Sequence, residues 1–257
     1  MGRVIAVASQ KGGVGKTTTV RELAAVWGAS GRRVLAVDFD PQFALTRGLG
    51  CAPSAAPGTA DQVVLAQRDV GDAIVTEAIP GVDLLAGHRN LASVELTLVP
   101  QMSRETFLAD ALSDAIGAYD MVLIDCPPNL GLLTVNALYA ANEVLVPVDM
   151  TAEGALHGAA EVLATVAQIA RRRTIAVRGL VRTRVDIRSI AYQRINPTVF
   201  TLGAKVVATQ IPERRAFANA TLEGRPLAVS APAHAGSVAY RRLAGELDES
   251  SAPRKVA

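Results

Sequence analysis

Three features of the sequence predict an α/β fold: a single doubly wound, mostly parallel sheet with helices on both faces. Strand-length apolar runs alternate with helix-length amphipathic stretches over most of the 257 residues, an order that implies right-handed crossovers. Several of those runs are apolar throughout, as in strands covered on both sides. A glycine-rich loop joins the first run to the first helical stretch, at the end of the sheet where open α/β folds bind ligands.

The first run is Arg3–Ala8, and the helical pattern beyond the loop covers about residues 16–30. Between them stands Ser9-Gln10-Lys11-Gly12-Gly13-Val14-Gly15-Lys16-Thr17-Thr18. The small residues Gly12, Gly13, Val14 and Gly15 let successive N–H groups turn toward one anion at a helix N-terminus, which Thr17 and Thr18 open. Lys16 can reach the β- and γ-phosphates of a nucleotide there, and the Thr17 hydroxyl is placed to hold Mg²⁺. Gln10 stands where the common G-x-x-x-x-G-K-[ST] pattern has glycine. Lys11 adds a second lysine at the loop entrance. The motif is therefore a deviant form, K-G-G-x-G-K-T.

The second strand, Arg33–Asp38, runs into Asp38-Phe39-Asp40-Pro41-Gln42. Period-two alternation puts Asp38 and Asp40 on one side of the chain, beside the loop. Phosphoryl transfer needs such groups to hold hydrated Mg²⁺ and to orient the attacking water. An Asp-Pro turn would explain Asp40 and Pro41 but leaves Asp38 without a reason. Residues 51–59, rich in Ala, Pro, Ser and Gly, read as a surface loop. A strand at Val82–Leu85 and a helix near 103–117 follow. The next run, Met121–Asp125, closes on a carboxylate, the Walker B layout in which Asp125 holds Mg²⁺. Cys126 beside it reads as a packing residue. Helical stretches at 130–141, 153–171, 188–202 and 234–248 then alternate with strands at Glu143–Val148, Ile175–Val181 and Lys205–Ala208. The expectation is one ATPase domain over residues 1–250 and a flexible tail at 251–257.

Composition narrows the class. Half of the residues are apolar but only 4% are aromatic, so Ala, Val and Leu must build the core. The two cysteines, Cys51 and Cys126, make neither a disulfide framework nor a metal quartet. No window approaches the ~18 uninterrupted apolar residues of a membrane span. No secretory segment precedes the first strand, and the chain reads as cytoplasmic. Net charge is +2, yet residues 1–170 carry 10 Lys or Arg against 18 Asp or Glu, while residues 171–257 carry 16 against 6. Such asymmetry points to an anionic partner or to a solvated arginine-rich surface. Arg171, Arg172 and Arg173 follow a helical stretch and can equally serve as its C-terminal cap.

Three blocks, KGGVGKTT, VDFDPQ and VLIDCPPNLGLLTVNAL, resemble the ParA/Soj partition ATPases, of the deviant Walker A class that also contains MinD. The likeness covers roughly residues 3–248 and is most specific over the first 148. It implies an ATP- and Mg²⁺-dependent homodimer that sandwiches nucleotide, with Lys11 reaching the phosphates of the partner subunit. Lys16 and Thr17 would act in their own subunit, Asp40 would orient the water, and Asp38 and Asp125 would support the metal shell. Pro212 and Glu213, in a block similar to the family's I-P-R-N-V segment, would border the adenine pocket.

The same resemblance implies slow hydrolysis stimulated by a ParB-like partner, non-specific binding to double-stranded DNA, and a nucleoid-associated location. Arg182, Arg184, Arg188, Arg214 and Arg215 are the expected DNA contacts, since arginines on one face grip phosphates without reading bases. Glu213, Ala216 and Asn219 depart from the family pattern, and Asp149-Met150-Thr151-Ala152-Glu153 carries a one-residue insertion. A membrane-cycling ATPase like MinD is the alternative. It calls for a C-terminal amphipathic membrane helix, whereas residues 237–249 close on acidic residues and read as a packing helix. An iron protein of the same superfamily would need cluster-ligand cysteines in suitable loops.

Overall fold

The computed structural model describes residues 2–152 and 154–249; Met1, Glu153, Ser250 and the expected tail 251–257 lie outside the described residues. Eight strands form one sheet: β1 (Arg3–Val7), β2 (Val34–Asp38), β3 (Val75–Ile79), β4 (Val82–Leu85), β5 (Met121–Asp125), β6 (Glu143–Asp149), β7 (Ala176–Val185) and β8 (Val206–Pro212). Their order is β3-β4-β2-β5-β1-β6-β7-β8. All neighbours are parallel except β3 and β4.

Alternation along the strands feeds two cores. Val4, Ala6, Leu35, Val37, Val122 and Ile124 face the helices Phe107–Ile116, Leu132–Ala140 and Gly154–Ile169. Ile5, Val7, Val34, Ala36 and Leu123 face the helices Lys16–Ala29 and Ala235–Glu249. Trp27, the chain's one tryptophan, is buried in the second core. Both faces of the central strands are thus covered, as their continuous apolar runs required.

Three strands differ from the sequence reading, β8 by running four residues beyond its expected end at Ala208. β3 has no apolar run: Thr76 and Glu77 are exposed at the sheet edge, and Glu77 takes a left-handed φ of 50° where the pairing with β4 shifts register. β7 continues through Arg182 to Val185 although its apolar run ends at Val181, because the protein interior accommodates Arg182. At the other sheet edge, Glu246 accepts hydrogen bonds from the backbone N–H groups of Ala208 (2.7 Å) and Thr209 (3.0 Å) of β8.

The pairing positions the site. Val7 and Asp38 each stand opposite Asp125 in the register of β1, β5 and β2. The carboxyl ends of the three strands therefore present the glycine loop and two aspartates side by side.

Candidate active site

The loop after β1 turns twice through left-handed glycines, Gly13 (φ 75°) and Gly15 (φ 92°), conformations that a Cβ would strain. Gly15 occupies the N-cap of the helix Lys16–Ala29, which has no side-chain cap and no acidic residue in its first turn. Its leading N–H groups and dipole are left facing the loop, the arrangement that favours an anion. β7 supports the loop from behind: the Thr183 hydroxyl donates to the carbonyl oxygens of Val14 (2.8 Å) and Val148 (3.1 Å).

Lys16 is 6% exposed, and its ammonium lies across the loop, donating to the Lys11 carbonyl at 3.1 Å. Burial lowers its pKa, opposed by the charges of Asp125 and Asp40. The Thr17 hydroxyl donates to Asp125 Oδ2 at 2.7 Å. Asp125 Oδ1 is buried with no hydrogen-bond partner. Burial, and then the charge of Asp38, push the Asp125 carboxyl well above the usual range.

Asp38 is fully buried and is held by the helix Ala44–Gly48: Oδ2 accepts from Thr46 N and Thr46 Oγ1, each at 2.7 Å. Burial pushes its pKa up to about 6. Asp40 is 7% exposed, accepts from Gln42 N at 2.9 Å, and is likewise raised by burial. Three carboxylates thus share a buried corner with one ammonium. A cation is the missing counter-charge, and the orphaned Asp125 oxygen beside the Thr17 hydroxyl is the pair suited to hold one. Among the described residues no three His, Cys, Asp or Glu side chains form a metal cluster. Mg²⁺ takes few protein oxygens and completes its shell with phosphates and water.

Lys11 is placed differently. Its side chain is 38% exposed, and Nζ stands 3.9 Å from Asp149 Oδ2 at the end of β6, outside its own loop. Asp149 also pairs with Arg184 (3.1 Å), which pairs in turn with Glu213 (2.9 Å). Sequence reasoning had marked residues 149–153 only as a departure; the role of Asp149 appears once the ends of β6 and β7 are adjacent. Thr46 and Thr183 were also missed, because each acts through a contact remote in sequence.

Beside the loop opens a cavity of about 690 Å³, lined by Gly13, Gly15 and Thr18 and by Ile211, Pro212, Glu213, Phe217, Thr221 and Tyr240. Its apolar walls and its place next to the anion loop suit a nucleoside base. Arg184, Arg214 and Arg215 line it as well.

The arginines expected on a DNA face differ in burial and in partners. Arg182 must be removed from that set: it is 6% exposed, bonded to Asn196 Oδ1 and to the carbonyl oxygens of Val207 and Ala208, with its guanidinium 5.5 Å from the Phe200 ring. It fastens β7 to β8 and to the helix Ile190–Val199. Arg184 is half-exposed and tied to Asp149 and Glu213, and it lines the cavity beside the loop. Arg188, Arg214 and Arg215 are exposed. Arg188 and Arg214 line a second groove of about 760 Å³ with Arg242, which sequence reasoning did not single out.

A hydroxyl bonded to a strand-end aspartate at the foot of an anion-binding loop makes this a P-loop NTPase, and the second lysine makes it one of the deviant Walker A class. Comparison with known proteins narrows the class. The AAA_31 family model, described as an AAA domain, matches residues 2–178. The chain is 36% identical over 250 residues to the sporulation initiation inhibitor protein Soj of Bacillus subtilis, covering 96% of this chain and 98% of Soj. It is 37% identical over 250 residues to the chromosome partitioning protein ParA of Caulobacter vibrioides, covering 95% and 93%. Among solved structures, cobyrinic acid a,c-diamide synthase from Mycobacterium smegmatis with bound ADP and magnesium matches with a TM-score of 0.83 and 34% identity, covering 99% of this chain and 98% of that one. The chain belongs to the ParA/Soj family of deviant Walker A ATPases.

Proposed function

We propose that the protein is an ATP-hydrolysing DNA-partition ATPase. It binds ATP with Mg²⁺, pairs two copies across their nucleotides, holds duplex DNA without reading its sequence, and releases it when a ParB-like partner stimulates hydrolysis. The single observation that carries this reading is the division of labour between the two lysines. Lys16 lies buried across its own loop, whereas Lys11 stands outside it on Asp149. A cation held loosely at the mouth is available to a second triphosphate, and it offsets the repulsion between two nucleotides brought face to face.

The chain's own groups account for the remaining steps. The loop N–H groups and Lys16 take phosphate oxygens at the N-terminus of the helix Lys16–Ala29. Thr17 and Asp125 would hold Mg²⁺, which when bound neutralises charge on the β- and γ-phosphates. Asp40 accepts a hydrogen bond from the attacking water and fixes its line of approach. Asp38 holds Thr46 and so the segment that carries Asp40. Arg188, Arg214 and Arg215 contribute phosphate contacts to DNA.

The name of the Caulobacter relative, chromosome partitioning protein ParA, supports partition as the role. The diamide-synthase name of the mycobacterial relative finds less support in the site. Cys126, the cysteine beside Asp125, is fully buried and its thiol is pushed far up by burial, so it offers the site no thiolate nucleophile. Membrane cycling is likewise unsupported: the apolar face of Ala235–Glu249 is buried in the second core. Among the described residues no helix is long and apolar enough to cross a membrane. We place the protein in the cytoplasm, on the nucleoid.

The test is the mass of the protein in solution with Mg²⁺ and a non-hydrolysable ATP analogue. A dimer is expected for the wild type, and a monomer that still binds nucleotide for Lys11→Ala. A wild-type monomer at saturating analogue overturns the proposal.

A further inference from the structure

Next to the site lies a buried ion pair that the mechanism above does not use. Arg21 and Glu22, on the second turn of the helix Lys16–Ala29, are 1% and 0% exposed. Arg21 Nε and NH2 donate to Glu22 Oε1 at 3.1 and 2.9 Å. NH2 also donates to the Phe217 carbonyl at 3.2 Å, and NH1 donates to the Thr221 hydroxyl. Glu22 accepts from Leu227 N (3.0 Å) and Ala228 N (2.8 Å). Each partner therefore grips the segment 217–228, from two sides.

That segment is one wall of the cavity beside the phosphate loop. Phe217, Ala218 and Thr221, on the helix Arg215–Leu222, line it. The Phe217 ring stands edge-on to Tyr240 at 5.6 Å, and Tyr240 bonds Thr19 at 3.1 Å. On its other side Arg21 packs against the helix Ala44–Gly48: a Cβ at Gly48 would stand 3.1 Å from Arg21 Cδ. The loops beyond these two helices also meet, since a Cβ at Gly50 would stand 2.9 Å from the Gly224 carbonyl oxygen. One guanidinium thus spaces the base-side wall from the phosphate helix and from the helix that carries Thr46.

A buried ion pair adds little net stability compared with apolar side chains of the same volume. What this one adds is geometry. We propose that Arg21, locked by Glu22, is a positioning residue that sets the distance between the base-binding wall and the phosphate loop, and so the share of nucleotide affinity that comes from the base. The inference rests on the nucleotide-site reading above.

The experiment compares binding of ATP with binding of inorganic tripolyphosphate, which has the phosphates and no base, both with Mg²⁺, by titration calorimetry. Two variants are used. Arg21→Met/Glu22→Gln removes both charges at nearly constant volume, and Arg21→Lys keeps the charge but loses the fork that bonds Glu22, Phe217 and Thr221 together. In each, ATP binding is expected to weaken on the order of tenfold while tripolyphosphate binding stays within about twofold of wild type, since only an interaction with the base is misplaced. An equal loss for both ligands marks a merely structural pair and overturns the proposal, as does unchanged ATP binding. If the double variant does not fold, the Arg21→Lys result decides. Wild-type protein that binds neither ligand defeats the nucleotide-site reading itself, and the positioning role with it.

Discussion

Asp38, Asp40 and Asp125 stand close together, with Lys16 as their one buried counter-ion among the described residues, so the nucleotide-free corner crowds negative charge. The consequence for Asp38 has a definite sign. Its folded pKa is held up at about 6 by burial, whereas in the unfolded chain a carboxyl titrates near pH 4. Between those values the folded state keeps a proton that the unfolded state has shed, so stability falls as pH rises, and above about pH 6 the full penalty, on the order of 3 kcal/mol, persists. Asp38→Asn should therefore raise the melting temperature of nucleotide-free protein by several degrees at pH 7.5 and change it little near pH 4, as scanning calorimetry at the two values would record. An equal effect at both pH values would refute the charge argument.

Arg182 gives the opposite lesson about a charge. Arg182→Ala should cost about 3 kcal/mol in urea unfolding, because it leaves the Val207 and Ala208 carbonyls and Asn196 without their donor. In sequence it sits between Val181 and Thr183 like any basic residue beyond a strand. Only the crossing of Phe200 and the pairing with β8 show it to be interior. The phosphate loop, by contrast, was legible because its chemistry is contiguous: Gly13, Gly15, Lys16 and Thr17 act within a few residues of one another.

At the scale of elements, strands with continuous apolar runs were readable and short amphipathic pieces were not. The helices Ala60–Val64 and Val70–Ala73 and the strand β3 have too few residues to show a period. The C-terminal helix Ala235–Glu249 was visible as a packing helix, but its task was not. It lies on the phosphate helix through Tyr240, Leu243 and Leu247, and Asp248 takes both Arg32 nitrogens at 2.8 Å. Leu243 is fully buried, so Leu243→Ala should lower stability by about 2–5 kcal/mol in denaturant titration. A loss under 1 kcal/mol would mean that this helix is not part of the cooperative core.

For the whole molecule, the excess of arginine in residues 171–257 gathers partly on one groove, where Arg188, Arg214 and Arg242 face solvent with Asp186 and Glu213. If two copies present that groove to one duplex, its arginines make about six phosphate contacts and Arg215 adds to them, so log K against log salt should fall with a slope of about −5 or steeper. Arg188→Glu combined with Arg214→Glu should flatten that slope by about 3 or more. An unaltered slope in a filter-binding series would move the DNA contact elsewhere on the surface.

Both borders of the sheet are interrupted, one by the left-handed Glu77 in β3, the other by Glu246 occupying two amide groups of β8. At these points a second molecule meets an interrupted row of backbone, which disfavours zipping into a continuous ribbon, the kind of union that is hard to undo. Under the proposed function, association falls instead to the rim of loops that carries Lys11, where it would last no longer than the fuel between the copies.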